Sequence, residues 1–233
     1  MHQGIQLFRD SLLRQSTDHT GPPHIDIVWK PYQIDPNIDM NGELFDDYCQ
    51  RRWGGSQWTN HLRQEGKKNG CNFANWKYIC NTIRAHQLIL YGTKYHPNAA
   101  KTCTTDTMNA ALFEALYEEG LNISQVDTLV TIGSKLFGSD EQTTTTTPFN
   151  AEHLRTYLEQ HQGRSEVEME MKQLQQMYRV RGVPAIHIGI VELESNDPMI
   201  VLDTKWKSPP LSLSGAQPAE VFVEIFQELL LEM

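Results

Sequence analysis

Gly182-Val183-Pro184-Ala185, running on into Ile186-His187-Ile188-Gly189-Ile190-Val191, is the stretch on which the reading of the fold turns. After the proline, apolar residues alternate with the period of two that marks a half-buried strand. An X-Pro bond keeps only ~0.5–1 kcal/mol of the usual trans preference, so a fold can lock the cis isomer at such a strand entrance and turn the N–H and C=O of Val183 outward. Groups exposed in that way can hold an extended, peptide-like ligand by strand-style hydrogen bonds. The same residues also suit a plain trans Val-Pro step at a sheet edge.

Downstream, Ile186 to Leu193 and Met199 to Leu202 read as a hairpin across the polar turn Ser195-Asn196-Asp197-Pro198. Ser214-Gly215-Ala216-Gln217 opens a last helix, 218–231, with Val221, Phe222, Ile225, Phe226, Leu229 and Leu230 inward and Pro218 pre-set for its first turn. Upstream, residues 39–177 are mostly helical in pattern. A helix runs from Phe73 or Asn75 to Tyr91 with Trp76, Ile79, Ile83, His86 and Leu90 along one side, and another is capped by Asp106 and stopped by Gly120. Glu152 to His161 and Glu166 to Met177 supply two more, whereas Gly138 to Pro148, with its threonine run, reads as an insertion without helical period. Near the start, Gly4 to Arg14 is an amphipathic helix, Ser16 to Pro23 a loop, and Ile25 to Tyr32 a strand ending near Pro31.

The 233 residues are enough for a full core, and a formal charge of −9 opposes nucleic acid or an anionic membrane as the main partner, since both call for clustered Lys and Arg. The N-terminus carries no basic region followed by an apolar run, and no stretch nears the ~18 apolar residues of a membrane helix, so a soluble, cytoplasmic protein is expected. Cys49, Cys71, Cys80 and Cys103 match neither zinc pairs nor a redox Cys-x-x-Cys, and in a reducing compartment they read as free, inert thiols.

Five segments, in order along the chain, resemble the DsbA-like thioredoxin superfamily. They are Trp29-Lys30-Pro31-Tyr32-Gln33-Ile34-Asp35-Pro36, Asn81-Thr82-Ile83-Arg84-Ala85-His86, Leu112 to Gly120, Gly182-Val183-Pro184-Ala185 and Ser214-Gly215-Ala216-Gln217. The likeness is to the FrnE-like branch, related to 2-hydroxychromene-2-carboxylate isomerases and kappa-class glutathione transferases. It implies an α/β, thioredoxin-like fold formed by 1–38 and 178–233, with 39–177 as a large inserted helical domain. Its sheet is expected from residues near 25–34 and 184–203, with Val183-Pro184 cis. The family's first strand, ending in Cys-x-x-Cys or in a single serine or cysteine, has no counterpart here, so no nucleophile carries over. The chain is read either as starting at an internal methionine or as having lost that strand.

What the resemblance implies for function is an oxidoreductase acting on a small molecule or thiol substrate in secondary metabolism. A glutathione-dependent isomerase or transferase of small aromatic or polyketide molecules, with glutathione as co-substrate and no bound cofactor or metal, is a second reading, and a catalytically silent scaffold a third. A homodimer is left open. Val183, Pro184, Trp29 and Gln217 are the candidate substrate- or glutathione-binding residues, the last because N–H groups at a helix start receive carboxylates. His86 is the candidate catalytic residue, weighed against a buried histidine bonded to backbone. Trp29, Trp53, Trp58 and Trp76 either line an aromatic pocket or pack in the core.

Overall fold

The computed structural model describes residues 1–15, 24–96, 104–138, 149–191 and 206–231. They are mixed α/β, with helices dominant and two small antiparallel sheets. The chain divides into two units, Met1–Asp26 with Tyr178–Met233, and Ile27–Met177. No helix among the described residues is long and apolar enough to cross a membrane.

In the Ile27–Met177 unit the core forms where four helices share their apolar faces. These are α4 (Ile83–Tyr95), α5 (Thr105–Phe113), α6 (Val126–Phe137) and α7 (Ala151–Glu159). Leu88, Leu129, Leu154 and Leu158 are wholly enclosed, with Tyr91, Met108 and Tyr157 nearly so. Two glycines let the helices close up. A Cβ on Gly133 would meet Leu154 Cδ2 at 2.5 Å, and one on Gly92 would meet Met108 Sδ at 2.6 Å. Asn150 caps α7 by accepting from the N–H groups of Glu152 and His153. The cap of α5 is Thr104 rather than Asp106: its hydroxyl accepts from Thr107, the Ncap pattern, which places Asp106 within the first turn. After α5 the chain widens into a π-helical turn, Glu114–Glu118, before Gly120 reverses it at φ +71°.

Before α4 lie α1 (His2–Gln15), β1 (Glu43–Leu44), α2 (Phe45–Trp53), a 3₁₀ turn (Gln57–Thr59), α3 (Asn60–Lys68) and β2 (Tyr78–Ile79), which pairs with β1. The helix expected from Phe73 or Asn75 therefore begins only at Ile83. Phe73 is left-handed (φ +51°), and the N–H groups of Asn72, Phe73 and Ala74 all donate to the Glu118 carboxylate, so this segment's donors are spent outside any helix. Partial burial works against ionisation of Glu118, but those donors and the Cys71 thiol prevail and hold its carboxyl below the usual range. Arg63 of α3 fastens the same region. Its guanidinium lies 5.6, 6.0 and 5.6 Å from the rings of Phe45, Phe73 and Trp76, while Nη1 donates to Phe73 O at 2.8 Å and Nε to Thr59 Oγ1 at 3.2 Å.

The expected strand Ile25 to Tyr32 is not one. From Ile27 its residues belong to the helical unit, and side chains hold them there. Trp29 N donates to Thr105 Oγ1 at 3.1 Å, the Trp29 indole donates to Asp106 Oδ1 at 2.6 Å, and Lys30 pairs with Glu170 at 2.8 Å on α8 (Arg164–Tyr178). Val28 and Ile188 accordingly fall in different units, and the expected shared sheet does not form among the described residues.

The other unit consists of α1, β3 (Ala185–Ile188), β4 (Leu211–Ser214) and α9 (Ala219–Leu231). Phe8 and Ile5 of α1 bury against α9, with Phe8 and Phe226 rings 5.2 Å apart, and Gly4 permits the approach because a Cβ there would meet Phe222 Cβ at 2.6 Å. The partner of β3 is β4, in the register Ala185↔Ser214, Ile186↔Leu213, His187↔Ser212 and Ile188↔Leu211. Leu211-Ser-Leu-Ser alternates with period two and forms a strand beyond those expected; Ser214, expected to open the last helix, ends this strand. The hairpin arm Met199 to Leu202, Cys103 and most of Gly138 to Pro148 lie outside the described residues.

Candidate functional site around the proline loop

Val183-Pro184 is cis and feeds β3, and Val183 is 44% exposed. Gly215 N donates to Pro184 O at 2.8 Å, which makes Pro184/Gly215 a hydrogen-bonded rung. Rungs alternate in an antiparallel pair, so Ile186/Leu213 and Ile188/Leu211 are bonded and Ala185/Ser214 and His187/Ser212 are not. The N–H and C=O groups of Ala185 and His187 therefore point away from β4, to the other edge of β3. Among the described residues no strand pairs with that edge. An edge with two donors and two acceptors, begun by an exposed valine, can take an extended backbone.

Side chains approach closely on a non-bonded rung, and His187 Nδ1 lies 2.8 Å from Ser212 Oγ. The Tyr178 ring lies 4.0 Å from the imidazole at 33°, and Tyr178 OH accepts from the Trp206 indole at 3.3 Å. Trp206 in turn covers Gly189, where a Cβ would stand 2.9 Å from its ring. Burial lowers the His187 pKa and so favours the neutral imidazole; its Nε2 is buried without a hydrogen-bond partner among the described residues. Sequence reasoning missed this residue. The signal available was a lone histidine in an otherwise aliphatic strand that begins at the proline loop. Gln217 lies just ahead of α9, and its carboxamide donates to Ser214 O at 3.1 Å and Gly215 O at 3.4 Å, closing the β4–α9 turn.

Val183, Pro184 and Gln217 thus belong to one unit, and Trp29 and His86 to the other. The Trp29 indole N–H is committed to Asp106, and its ring meets Phe113 edge-on at 6.3 Å. His86 is partly buried on α4, with Nε2 3.2 Å from Tyr32 O and 3.4 Å from Thr82 Oγ1. Burial lowers its pKa to about 4, the Tyr32 carbonyl pulling the other way. At neutral pH the ring is uncharged and its Nε2–H is directed at a backbone carbonyl, whereas a general base works best with a pKa near the operating pH.

The described thiols are also poorly placed for exchange. Cys49 is buried. Burial raises the pKa of Cys71, whose Sγ donates to Glu118 Oε1 at 3.3 Å, and burial likewise raises that of Cys80, whose Sγ donates to Asn122 Oδ1 at 3.3 Å. An exchange-active cysteine needs the reverse, an accessible thiolate of low pKa. All three belong to the Ile27–Met177 unit, and Pro184 belongs to the other. Among the described residues no group of His, Cys, Asp and Glu is arranged to hold a metal ion. No protein-family model matches the chain, and no curated protein sequence matches it.

Proposed function

We propose that the chain is a thioredoxin-like, DsbA-related module that binds glutathione or an extended thiol peptide along the outer edge of β3. The observation that carries this reading is the edge at Ala185 and His187, which no strand among the described residues pairs, close after the exposed Val183. Any chemistry at this edge relies on the thiolate of the bound ligand, as in glutathione-dependent isomerisation, because the described cysteines have raised pKa values or are buried. Thiol–disulfide exchange by the chain's own cysteines is the weaker reading for the same reason.

Calorimetric titration with reduced glutathione tests the proposal. Saturable heat is expected below about 10 mM, and Ala185→Pro should weaken binding by about tenfold. That substitution removes an N–H aimed at the ligand and none that β4 uses, and proline is tolerated on edge strands. Absence of heat at that concentration leaves the silent scaffold as the surviving reading. Insulin reduction by the purified chain well above the buffer rate would instead restore the oxidoreductase.

A further inference from the structure

We propose that the surface made by the end of α2, the 3₁₀ turn and the start of α3 docks an acidic peptide bearing apolar anchors. Two tryptophans stand there side by side outside any core. Trp53 is 58% exposed and Trp58 42%, with ring centroids 6.1 Å apart and planes at 44°. Leu62, one helical turn beyond Trp58, extends the strip and is itself 43% exposed. Gly54 (φ +69°) and Gly55 (φ +149°) make the reversal between the two indoles, in a backbone region that other residues rarely enter. Behind them, Trp58 meets Trp76 edge-on at 5.9 Å, and Trp76 packs against Phe45 at 4.7 Å and Tyr117 at 5.0 Å. Trp58 is therefore seated on an aromatic stack, and Trp53 rests against Trp58. Large aromatic surfaces that are already ordered lose little entropy on binding, which is why they serve as interface anchors.

Charge selects the occupant. Residues 50–68 carry five basic side chains and a single acidic one, in a chain whose formal charge is −9. Several of these cations are already engaged: Arg51 by Glu43 at 2.7 Å, Lys68 by Glu65 at 2.6 Å, and Arg63 within its three rings. Arg52 is different. Its guanidinium stacks 5.6 Å from the Trp53 ring, and it has no carboxylate partner among the described residues; Lys67, in the last turn of α3, is the other cation of this stretch without one there. A nucleic acid would need a row of free cations along its backbone, and an anionic membrane surface about four or more adjacent Lys and Arg. One stacked guanidinium beside an apolar strip suits instead a carboxylate next to an apolar side chain, the usual pairing of polar rim and aromatic centre in a protein interface.

The test is fluorescence polarisation with the full chain and a fluorescein-labelled peptide of sequence DELDDFLE. Saturable binding in the micromolar to submillimolar range is expected. Trp53→Ala or Trp58→Ala should weaken it at least about tenfold, and Arg52→Glu about threefold, with a comparable loss on raising salt from about 50 to about 300 mM. A basic counterpart, KKLKKFLK, should not bind. Leu62→Asp, a substitution at an exposed position, provides a second reading if a tryptophan variant is poorly folded by circular dichroism, and it too should weaken binding at least about tenfold. The proposal is overturned by absence of saturable binding up to about 1 mM. Unchanged affinity in the Trp58 and Leu62 variants, or tighter binding of a thymidine oligonucleotide or of phosphatidylserine vesicles than of the peptide, would overturn it equally. Glutathione binding at β3 and peptide binding at Trp53 and Trp58 are read by separate titrations, so either can fail alone.

Discussion

Acid should destabilise the helical unit through His86, and the size of the effect follows from its setting. Its pKa is about 4 when folded, against an ordinary value of 6.5, because burial penalises the charged ring. Above pH 6.5 both folded and unfolded forms are neutral, and the histidine adds no pH dependence. As the pH falls below 6.5 the unfolded histidine binds a proton that the folded one refuses, so stability declines until the pH reaches the folded pKa near 4. At about pH 5 the loss amounts to about 2 kcal/mol, and it approaches about 3 kcal/mol near pH 4. Urea unfolding of the full chain at about pH 7.5 and pH 5, followed by tryptophan fluorescence, measures it, since four of the five tryptophans lie in the helical unit. His86→Gln keeps a donor for Tyr32 O but does not titrate. Its stability difference between the two pH values should be smaller than that of the natural chain by about 2 kcal/mol, with the effects of other titrating groups cancelling in the comparison. An equal pH dependence in the two proteins would refute the reasoning, as would a proton NMR titration placing the His86 midpoint above about 6.

Arg63→Lys should lower stability by about 2 kcal/mol in thermal or urea melts, because an ammonium cannot face three rings while donating to both Phe73 O and Thr59 Oγ1. Leu154→Ala removes a fully enclosed side chain from the centre of the helical core and should cost about 3–5 kcal/mol by urea unfolding. Gly133→Ala does the opposite at the same place, driving a methyl against Leu154 Cδ2, and should cost about 1–3 kcal/mol; combined with Leu154→Ala it should cost less than the sum of the two, as a double-mutant cycle would record. Glu118→Ala should loosen the 71–75 loop, seen as faster amide exchange at Asn72, Phe73 and Ala74, whose N–H groups lose their shared acceptor.

Helices with a steady apolar period were legible in advance. The first helix, α7, the length of α8 and the terminal α9 follow from spacing alone, because a helix that buries one stripe writes that stripe into its own sequence. The site was legible in part. The proline loop and the strand after it stand out from alternation and from the chemistry of Val183-Pro184, and both are present. His187 escaped notice because what distinguishes it, a cross-strand hydroxyl and a tyrosine face, comes from residues 178 and 212, remote in sequence.

Tertiary structure decided the rest, wherever a side chain from a distant segment outbid local preference. Ile25 to Tyr32 alternates like a strand, yet Thr105, Asp106 and Glu170 take its hydrogen bonds and charges. The run from Asn75 keeps a helical period through Trp76, Ile79 and Ile83, but Glu118 has already claimed the N–H groups just before it, and Tyr78 and Ile79 pair with β1. The sequence by itself determined which residues are apolar and with what period, hence the helices and the strand after the proline. Which partner each strand meets, and whether a histidine or cysteine is buried or poised, depends on donors, acceptors and desolvation supplied from far along the chain, and only the fold brings those together.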